Sequence, residues 1–505
     1  MVVDQMRWDF LYRFRKNYSP SGFNRLLREG FSCEQTFISY TPTYTAPGHA
    51  AIFTGSPPAI SGIVGNGWFD RKSGKFRVAV ADTGYSTVGS NTKAGRISPR
   101  QLLTTTVADE MRLATHFNSK SVGIAIKDRG AVLPAGHTAN ASYWYDDESG
   151  KWVSSTYYMQ QLPAWVEAFN ARALPAKYMQ SDWELLLPKD AYSQSGPDIP
   201  DYEGVIEGLT EPGFPHELST IATKKLSAFK TTPFATTCTF DLARAAIEGE
   251  ELGAGSETDF LSVSISSTDY IGHTFGPNSL EVQDAYIRLD RDFSAFLQYL
   301  DKRLGQDNYL LFLTADHGVS QVPEFLSSHH LPSGNYNNDS LRIKLNLRVQ
   351  QVTGIPDAVQ YVTNYQIYLA ALPDDKKDAV YQTILSDLTR VPFISQAFRM
   401  SELGRASLPD PILSRLINGY HPARSGDIGF LVNSGFVEGD RKGTSHGLWN
   451  PYDSHIPLLF FGSGIPSGKT YREVNVTDIA PTLAALLQIQ MPSGSVGKVI
   501  GEVLR

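Results

Sequence analysis

Six side chains with oxygen or nitrogen donors stand at or near the ends of apolar, strand-like runs in this chain. Asp4 follows Val2-Val3, Asp269 and His273 follow the run Phe260 to Ile265, and Asp316 and His317 follow Tyr309 to Leu313. His446, in Gly443-Thr444-Ser445-His446-Gly447, comes before the run Ile456 to Phe461. Carboxylates and imidazoles without a thiolate suit zinc or a similar divalent ion. Six donors exceed what one zinc takes and match two, and two metals about 4 Å apart can clamp the attacking and leaving oxygens of an in-line phosphoryl displacement. A hydroxyl is placed to join them. Thr45 stands where the strand-like Thr36 to Tyr40 gives way, through a turn, to a short run of helix formers, Ala50 to Phe53. A hydroxyl at a helix start faces unpaired N–H groups and the positive end of the helix dipole, surroundings that suit an oxyanion such as phosphate.

Each of these residues also has an ordinary reading. Thr45 alone is an N-cap; Asp316-His317-Gly318 is a capped turn; Asp269 and His273 are an i,i+4 surface pair; Asp4 is a strand-end acid and His446 a solvated loop residue. Lys127 and Arg129 follow the strand-like Ser121 to Ile126 and alone read as a solvated strand end. If their spacing of two stays extended, both point to one face. There the Arg fork can take phosphate bidentately and Lys adds a point charge. The joint occurrence of all six donors with a poised threonine favours a site. The remaining histidines (His49, His116, His137, His216, His329, His330, His421, His455) lack a comparable context and default to packing or solvation, although His49 is placed to brace the nucleophile turn.

The elements that must position these groups alternate between strand-like and helix-like. Helices are expected near Phe10 to Asn17, from Ser98 to about Phe117 with Pro99 in the first turn, and over Ala235 to Glu251, Leu280 to Leu304 and Thr477 to Leu487. A glycine-rich turn runs from Ser61 to Trp68. Buried-type strands alternating with helices predict an α/β fold, a mostly parallel sheet covered on both faces, with ligands gathered beyond the carboxyl ends of the strands. Two regions break the rhythm: about 133–215, rich in Tyr, Trp, Pro, Ser and Gly, and about 323–441, a mixed α+β stretch. Both read as insertions that cap the site of a single catalytic domain spanning 1–505.

Composition sets the outer bounds. The chain has 505 residues, 41% hydrophobic and 19% charged, as in an ordinary globular protein. Its 45 basic and 52 acidic residues leave a net charge of −7, so nothing points to a nucleic-acid or membrane surface. No apolar run approaches the roughly 18 residues of a membrane helix. Two cysteines, Cys33 and Cys238, exclude a disulfide framework and a cysteine zinc cluster, and leave their pairing open. Met1 to Asp4 resembles the tail of a buried strand, and the absence of a signal peptide therefore says little about location.

Taken together, the motifs resemble the alkaline phosphatase superfamily, in its type I phosphodiesterase/nucleotide pyrophosphatase-like branch. Within that branch the chain looks most like bacterial alkaline phosphatases with a Thr nucleophile and a Lys-x-Arg pair. The resemblance rests on Val3-Asp4-Gln5-Met6-Arg7, Thr45-Ala46-Pro47-Gly48-His49, Gly62-Ile63-Val64-Gly65-Asn66, Lys127-Asp128-Arg129, Thr268-Asp269-Tyr270-Ile271-Gly272-His273, Ala315-Asp316-His317-Gly318 and Ser445-His446-Gly447, in the family's order over nearly the whole chain. It implies a three-layer α/β/α sandwich. It implies two zinc ions, one on Asp269, His273 and His446 and the other on Asp4, Asp316, His317 and Thr45. It further implies a phospho-threonine intermediate on Thr45, with Asn66, Lys127 and Arg129 on the phosphoryl oxygens. No third metal such as Mg2+ is expected, because the Lys of these phosphatases takes that region. The implied activity is phosphate monoester hydrolysis on small-molecule esters, with a phosphodiesterase or nucleotide pyrophosphatase as the alternative. A periplasmic or secreted location is implied, and a monomer is compatible with everything above. A sulfatase is disfavoured, since no Cys or Ser stands in a Cys/Ser-x-Pro-x-Arg motif.

Overall fold

A computed structural model describes residues 1–504. Its backbone is organised by one eleven-stranded sheet. Val2–Val3 lies at the centre, between Leu310–Thr314 and Phe260–Ile265 and parallel to both. Phe260–Ile265 pairs in parallel with Ser121–Ala125, which pairs in parallel with Ala141–Asp146. These strands are mostly apolar and buried along their length. A strand with neighbours on both edges and helices on both faces has no wet side, so alternation is absent from it. The closing strand is different: Leu458–Gly462 runs antiparallel to Leu310–Thr314 and to Phe31–Phe37, and Pro457 separates it from the short strand His455–Ile456. Helices Thr45–Thr54 and Asp128–Ala135 pack together, as do Pro233–Gly249 and Leu280–Arg303, and complete the α/β/α layers. No helix among the described residues is long and apolar enough to cross a membrane.

Two local expectations need correction. The helix foreseen over Ser98 to Phe117 is confined to Val107–Ala114. Thr106 and Asp109 exchange hydrogen bonds in a capping box, which fixes the start eight residues later than Pro99 would. Lys127-x-Arg129 is not extended: Lys127 is the N-cap of Asp128–Ala135 and Arg129 lies inside its first turn. Within 133–215, Ala141–Asp146 and Lys151–Ser155 form an antiparallel pair that continues the main sheet. Within 323–441, the strands Val359–Thr363, Gln366–Leu369, Ile394–Arg399 and Ile428–Val432 form a separate antiparallel sheet. Its own apolar cluster, with Val349, Ile367, Ile384 and Ile428, is fully buried. Cys33 and Cys238 are both free and buried.

Candidate active site

Five of the six predicted donors follow the carboxyl end of a strand, and His446 comes to them from the loop before His455–Ile456. Asp4 follows Val3, Asp316 and His317 follow Thr314, and Asp269 and His273 sit on the helix Ser267–Phe275 that begins two residues after Ile265. Asp4, Asp269, Asp316 and His317 are essentially inaccessible to solvent, and His446 is buried. Two groups of donor atoms are compact enough to hold one cation each: Asp269, His273 and His446, and Asp4, Asp269 and His317. Asp269 therefore stands between the two, and Asp316 is grouped less tightly, its Oδ2 being 3.5 Å from His317 Nε2.

The imidazoles are oriented by the backbone. His273 Nδ1 is 2.7 Å from the Thr444 carbonyl, His446 Nδ1 2.7 Å from that of Thr43, and His317 Nδ1 2.9 Å from that of Gly318. A carbonyl only accepts, so Nδ1 donates in each ring and Nε2 faces the carboxylates; at His273 the Asp269 carboxylate outweighs burial and raises the ring's pKa. The Nε2 atoms of His273 and His446 are 3.2 and 3.6 Å from Asp269 Oδ1, and that of His317 is 3.4 Å from Asp4 Oδ1. The rings of His317 and His446 stack with centroids 3.5 Å apart. Burial holds both below the usual histidine range, which keeps the stacked rings neutral. His49 spends both nitrogens, on the Thr45 carbonyl at 2.9 Å and on Ser264 Oγ at 2.8 Å, so it braces the turn and has no lone pair to offer.

The carboxylates are short of partners. Both oxygens of Asp4 and Oδ2 of Asp316 lack a well-aligned hydrogen bond; Lys127 Nζ is an ion-pair partner 2.7 Å from Asp4 Oδ2, and His49 Nδ1 is 3.4 Å from Asp316 Oδ2. Burial, then the Asp316 carboxylate, pushes Asp4 well above the usual range. Burial has the same tendency at Asp269, where the His273 ring and Lys127 outweigh it and hold the group well below that range. Three buried carboxylates served by one ammonium, facing three oriented imidazole Nε2 atoms, fit divalent cations bound by oxygen and nitrogen.

Thr45 is the first residue of the helix Thr45–Thr54, with Tyr44 as N-cap and no side-chain capping bond. The ordinary reading of this threonine as a cap does not hold. Its Oγ1 instead lies 3.3 Å from Lys127 Nζ and 3.4 Å from His317 Nε2. Lys127 Nζ also pairs with Asp269 Oδ2 at 2.5 Å, and these carboxylates outweigh burial to hold it an ammonium. Asn66 Oδ1 accepts from the Ala46 amide at 2.9 Å, which leaves its NH2 as the outward end beside Thr45. The Arg129 guanidinium is 3.7 Å from Asp128, and its buried Nε has no partner. Nine of the ten predicted residues are thus joined by contacts within or beside the cluster, and Arg129 stands in the first helical turn after Lys127 without a contact to the donors. Sequence reasoning missed Gln5, whose backbone N–H donates to Asp316 Oδ1 at 3.2 Å while its side-chain amide donates to Asp269 Oδ1 at 2.8 Å. Its left-handed backbone, φ 67°, makes that double reach possible. A cavity of about 710 Å3 is elsewhere: it lies among Val107, Leu261, Leu300, Leu311 and Leu483 near the opposite ends of the strands, and carries none of these groups.

The family model described as type I phosphodiesterase / nucleotide pyrophosphatase matches residues 1–453. The chain is 47% identical to the alkaline phosphatase PhoV of Synechococcus elongatus, over 100% of this chain and 92% of PhoV. It is 44% identical to the alkaline phosphatase PafA of Elizabethkingia meningoseptica, over 100% of this chain and 93% of PafA. The crystal structure of wild-type PafA matches with a TM-score of 0.98, covering 100% of this chain and 98% of that one. Murine ectonucleotide pyrophosphatase / phosphodiesterase 5, 16% identical with a TM-score of 0.52 over 97% of this chain and 94% of that one, shares the fold. A match over most of the chain, with relatives at 44–47% identity over its whole length, means that the chain belongs to the type I phosphodiesterase / nucleotide pyrophosphatase family, on the alkaline phosphatase superfamily fold.

Proposed function

We propose that this chain is an alkaline phosphatase that hydrolyses phosphate monoesters through a phospho-threonine on Thr45, in a site that holds two zinc ions. The observation that carries the reading is Thr45 itself: a buried hydroxyl at a helix start that caps nothing and lies within 3.4 Å of both an ammonium and an imidazole nitrogen. Two relatives named alkaline phosphatases, at 47% and 44% identity over the whole chain, support it. So does a crystal structure of a PafA mutant, whose four substitutions fall on a threonine, an asparagine 21 positions later, and a lysine and arginine two apart. Thr45, Asn66, Lys127 and Arg129 repeat those types and those spacings.

Asp269, His273 and His446 would hold one zinc and Asp4, Asp316 and His317 the other, with Asp269 near enough to both to serve either. Zinc bound there supplies positive charge that lowers the pKa of a hydroxyl or water and stabilises a leaving oxygen. Thr45 Oγ attacks phosphorus; the Oγ–P bond forms, the ester P–O bond breaks, and the alcohol departs with the bonding pair and a proton. Water then attacks the phospho-threonine, and inorganic phosphate leaves as the hydroxyl of Thr45 is restored. Lys127 stays an ammonium and contributes charge, not proton abstraction. Asn66 donates its NH2 to a non-bridging oxygen, held in that sense by the Ala46 amide, and the open Nε edge of Arg129 takes the others. No third metal is needed, because Lys127 already bridges Asp4, Asp269 and Thr45. The substrates are small phosphate esters, and a periplasmic or secreted setting agrees with the resemblance.

The test is parallel kinetics on a monoester and a diester with the same leaving group, with metal content measured on the same sample. About two zinc ions per chain, loss of turnover on chelation, recovery with zinc and a monoester preference are expected. Full activity in a demonstrably metal-free sample would refute the zinc assignment, and a diester preference would refute the monoesterase reading.

A further inference from the structure

The separate sheet formed by residues 359–432 reaches toward the site with the two-residue turn Asn364-Tyr365 between Val359–Thr363 and Gln366–Leu369. Thr363 pairs with Gln366, and both turn residues are left-handed, with φ 56° and 58°. A two-residue hairpin of this kind favours Asn first and Gly second. Tyrosine at the second position strains the backbone, and such strain persists only where surrounding contacts hold it. The contacts are these. The Tyr365 hydroxyl donates to the His446 carbonyl at 3.2 Å. Its ring lies parallel to that of Tyr44, the residue before Thr45, with centroids 6.4 Å apart. Gly447 is threaded between the two rings: a Cβ there would stand 2.7 Å from Tyr365 and 2.8 Å from Tyr44. The buried Asn364 side chain donates to the Gly67 carbonyl at 2.8 Å and lies so close over Gly65 that a Cβ there would meet it at 2.6 Å. Asn66 is the residue between them.

We propose that the Asn364-Tyr365 turn is a positioning device for the reaction: Asn364 sets the loop that aims the Asn66 amide, and Tyr365 sets the loop that aims His446. Neither residue touches the reacting atoms. The inference rests on the reading of Asn66 as a phosphoryl donor and His446 as a metal ligand. The strain in the turn is kept because tyrosine there holds two catalytic loops in register, which glycine would not. Small displacements of such groups cost rate steeply, up to about 100-fold for 1 Å.

The decisive variant is Tyr365→Gly, which restores the turn's preferred sequence. Made in the zinc-loaded full chain and assayed well below its Tm, it is expected to lower monoester kcat/KM at least about tenfold and to release zinc at a lower chelator concentration. Tyr365→Phe, which keeps the ring and loses the hydroxyl, should fall between the two. Asn364→Ala should weaken inhibition by inorganic phosphate and raise KM more than it lowers kcat. In an Asn66→Ala background it should add almost nothing, since residues that act through one another are non-additive. Unchanged kinetics and zinc retention in Tyr365→Gly, or full additivity of Asn364→Ala with Asn66→Ala, overturns the proposal. A wild type without monoesterase activity overturns the function reading instead, so the two failures are distinct.

Discussion

Two groups of buried acids lie at opposite ends of one helix and resolve the same electrostatic problem in opposite ways. Ser267–Phe275 carries Asp269 and His273 into the candidate active site and ends at Phe275, whose ring is 5.4 Å from that of His216. His216 belongs to the second group, with Glu203 and Glu281, all at most 2% exposed. In the first group the carboxylates face an ammonium and the free Nε2 edges of three histidines. In the second, His216 spends Nε2 on Glu281 at 3.0 Å, and no lysine or arginine pairs with either glutamate among the described residues. Burial and the neighbouring Glu281 push Glu203 up to about 10, so a proton does there what cations do in the first group. Buried acids are not by themselves a site. What distinguishes one is a buried ammonium and oriented, unspent imidazole nitrogens converging on the carboxylates.

The sharpest way to break this contrast is to remove the nucleophile and leave the charges alone. Thr45→Ala is expected to lower monoester kcat roughly 10³-fold or more, with zinc content and Tm near wild type. Thr45→Ser should retain part of the turnover because the hydroxyl remains. Near wild-type rates in Thr45→Ala would mean that the convergence on this hydroxyl is not the reaction centre.

The next effect comes from the cations. A monoester presents more negative charge on its non-bridging oxygens than a diester, so Lys127 and Arg129 serve it better as charge develops in the transition state. Lys127→Ala and Arg129→Ala should each cost monoester kcat/KM heavily, tenfold for every ~1.4 kcal/mol of lost stabilisation, and diester kcat/KM much less. Arg129→Ala is the cleaner variant, since Lys127 also neutralises Asp4 and Asp269. A monoester-to-diester ratio that both variants leave unchanged would favour the diesterase alternative.

Much of the first group was legible in the sequence and little of its support was. Asp4, Asp269, Asp316 and His317 could be found because a parallel sheet delivers its strand ends to one rim, and apolar runs mark where strands end. Thr45 could be found because a strand-to-helix turn is local. Lys127 and Arg129 were found for a geometry they do not have: the chain turns into helix at Asp128, so the two reach the site from an N-cap and a first helical turn. Gln5 carried no signal, since a left-handed φ at a non-glycine residue leaves no mark in composition. Nor did Asn364, 297 positions from the glycine it holds, in a turn whose second residue is not the expected one. The carbonyls of Thr43, Gly318 and Thr444 that orient the histidines are invisible to any reading of side chains.

The smallest effect tests the second group directly. Glu203 carries its proton up to about 10 in the folded chain, against an ordinary 4.5. Between those values the unfolded chain has released the proton and the folded chain has kept it, so ν_U − ν_N is −1. Stability then falls as pH rises through that window, by at most about 1.4 kcal/mol per pH unit. Glu281 beside it is also held above its usual value by burial, and Asp198 adds to the repulsion on both, so the full slope belongs to the cluster and not to one residue. Glu203→Gln removes the titrating proton, keeps the shape and supplies an NH2 in a place where Glu281 Oε2 has no donor. Its Tm should therefore drop less than that of the wild type between about pH 6 and about pH 9. Monoester turnover near neutrality should stay close to wild type, because the group lies outside the reaction centre. Parallel Tm profiles for the two proteins would show that Glu203 is ionised in the fold, and that the second group resembles the first more than the distances between its residues imply.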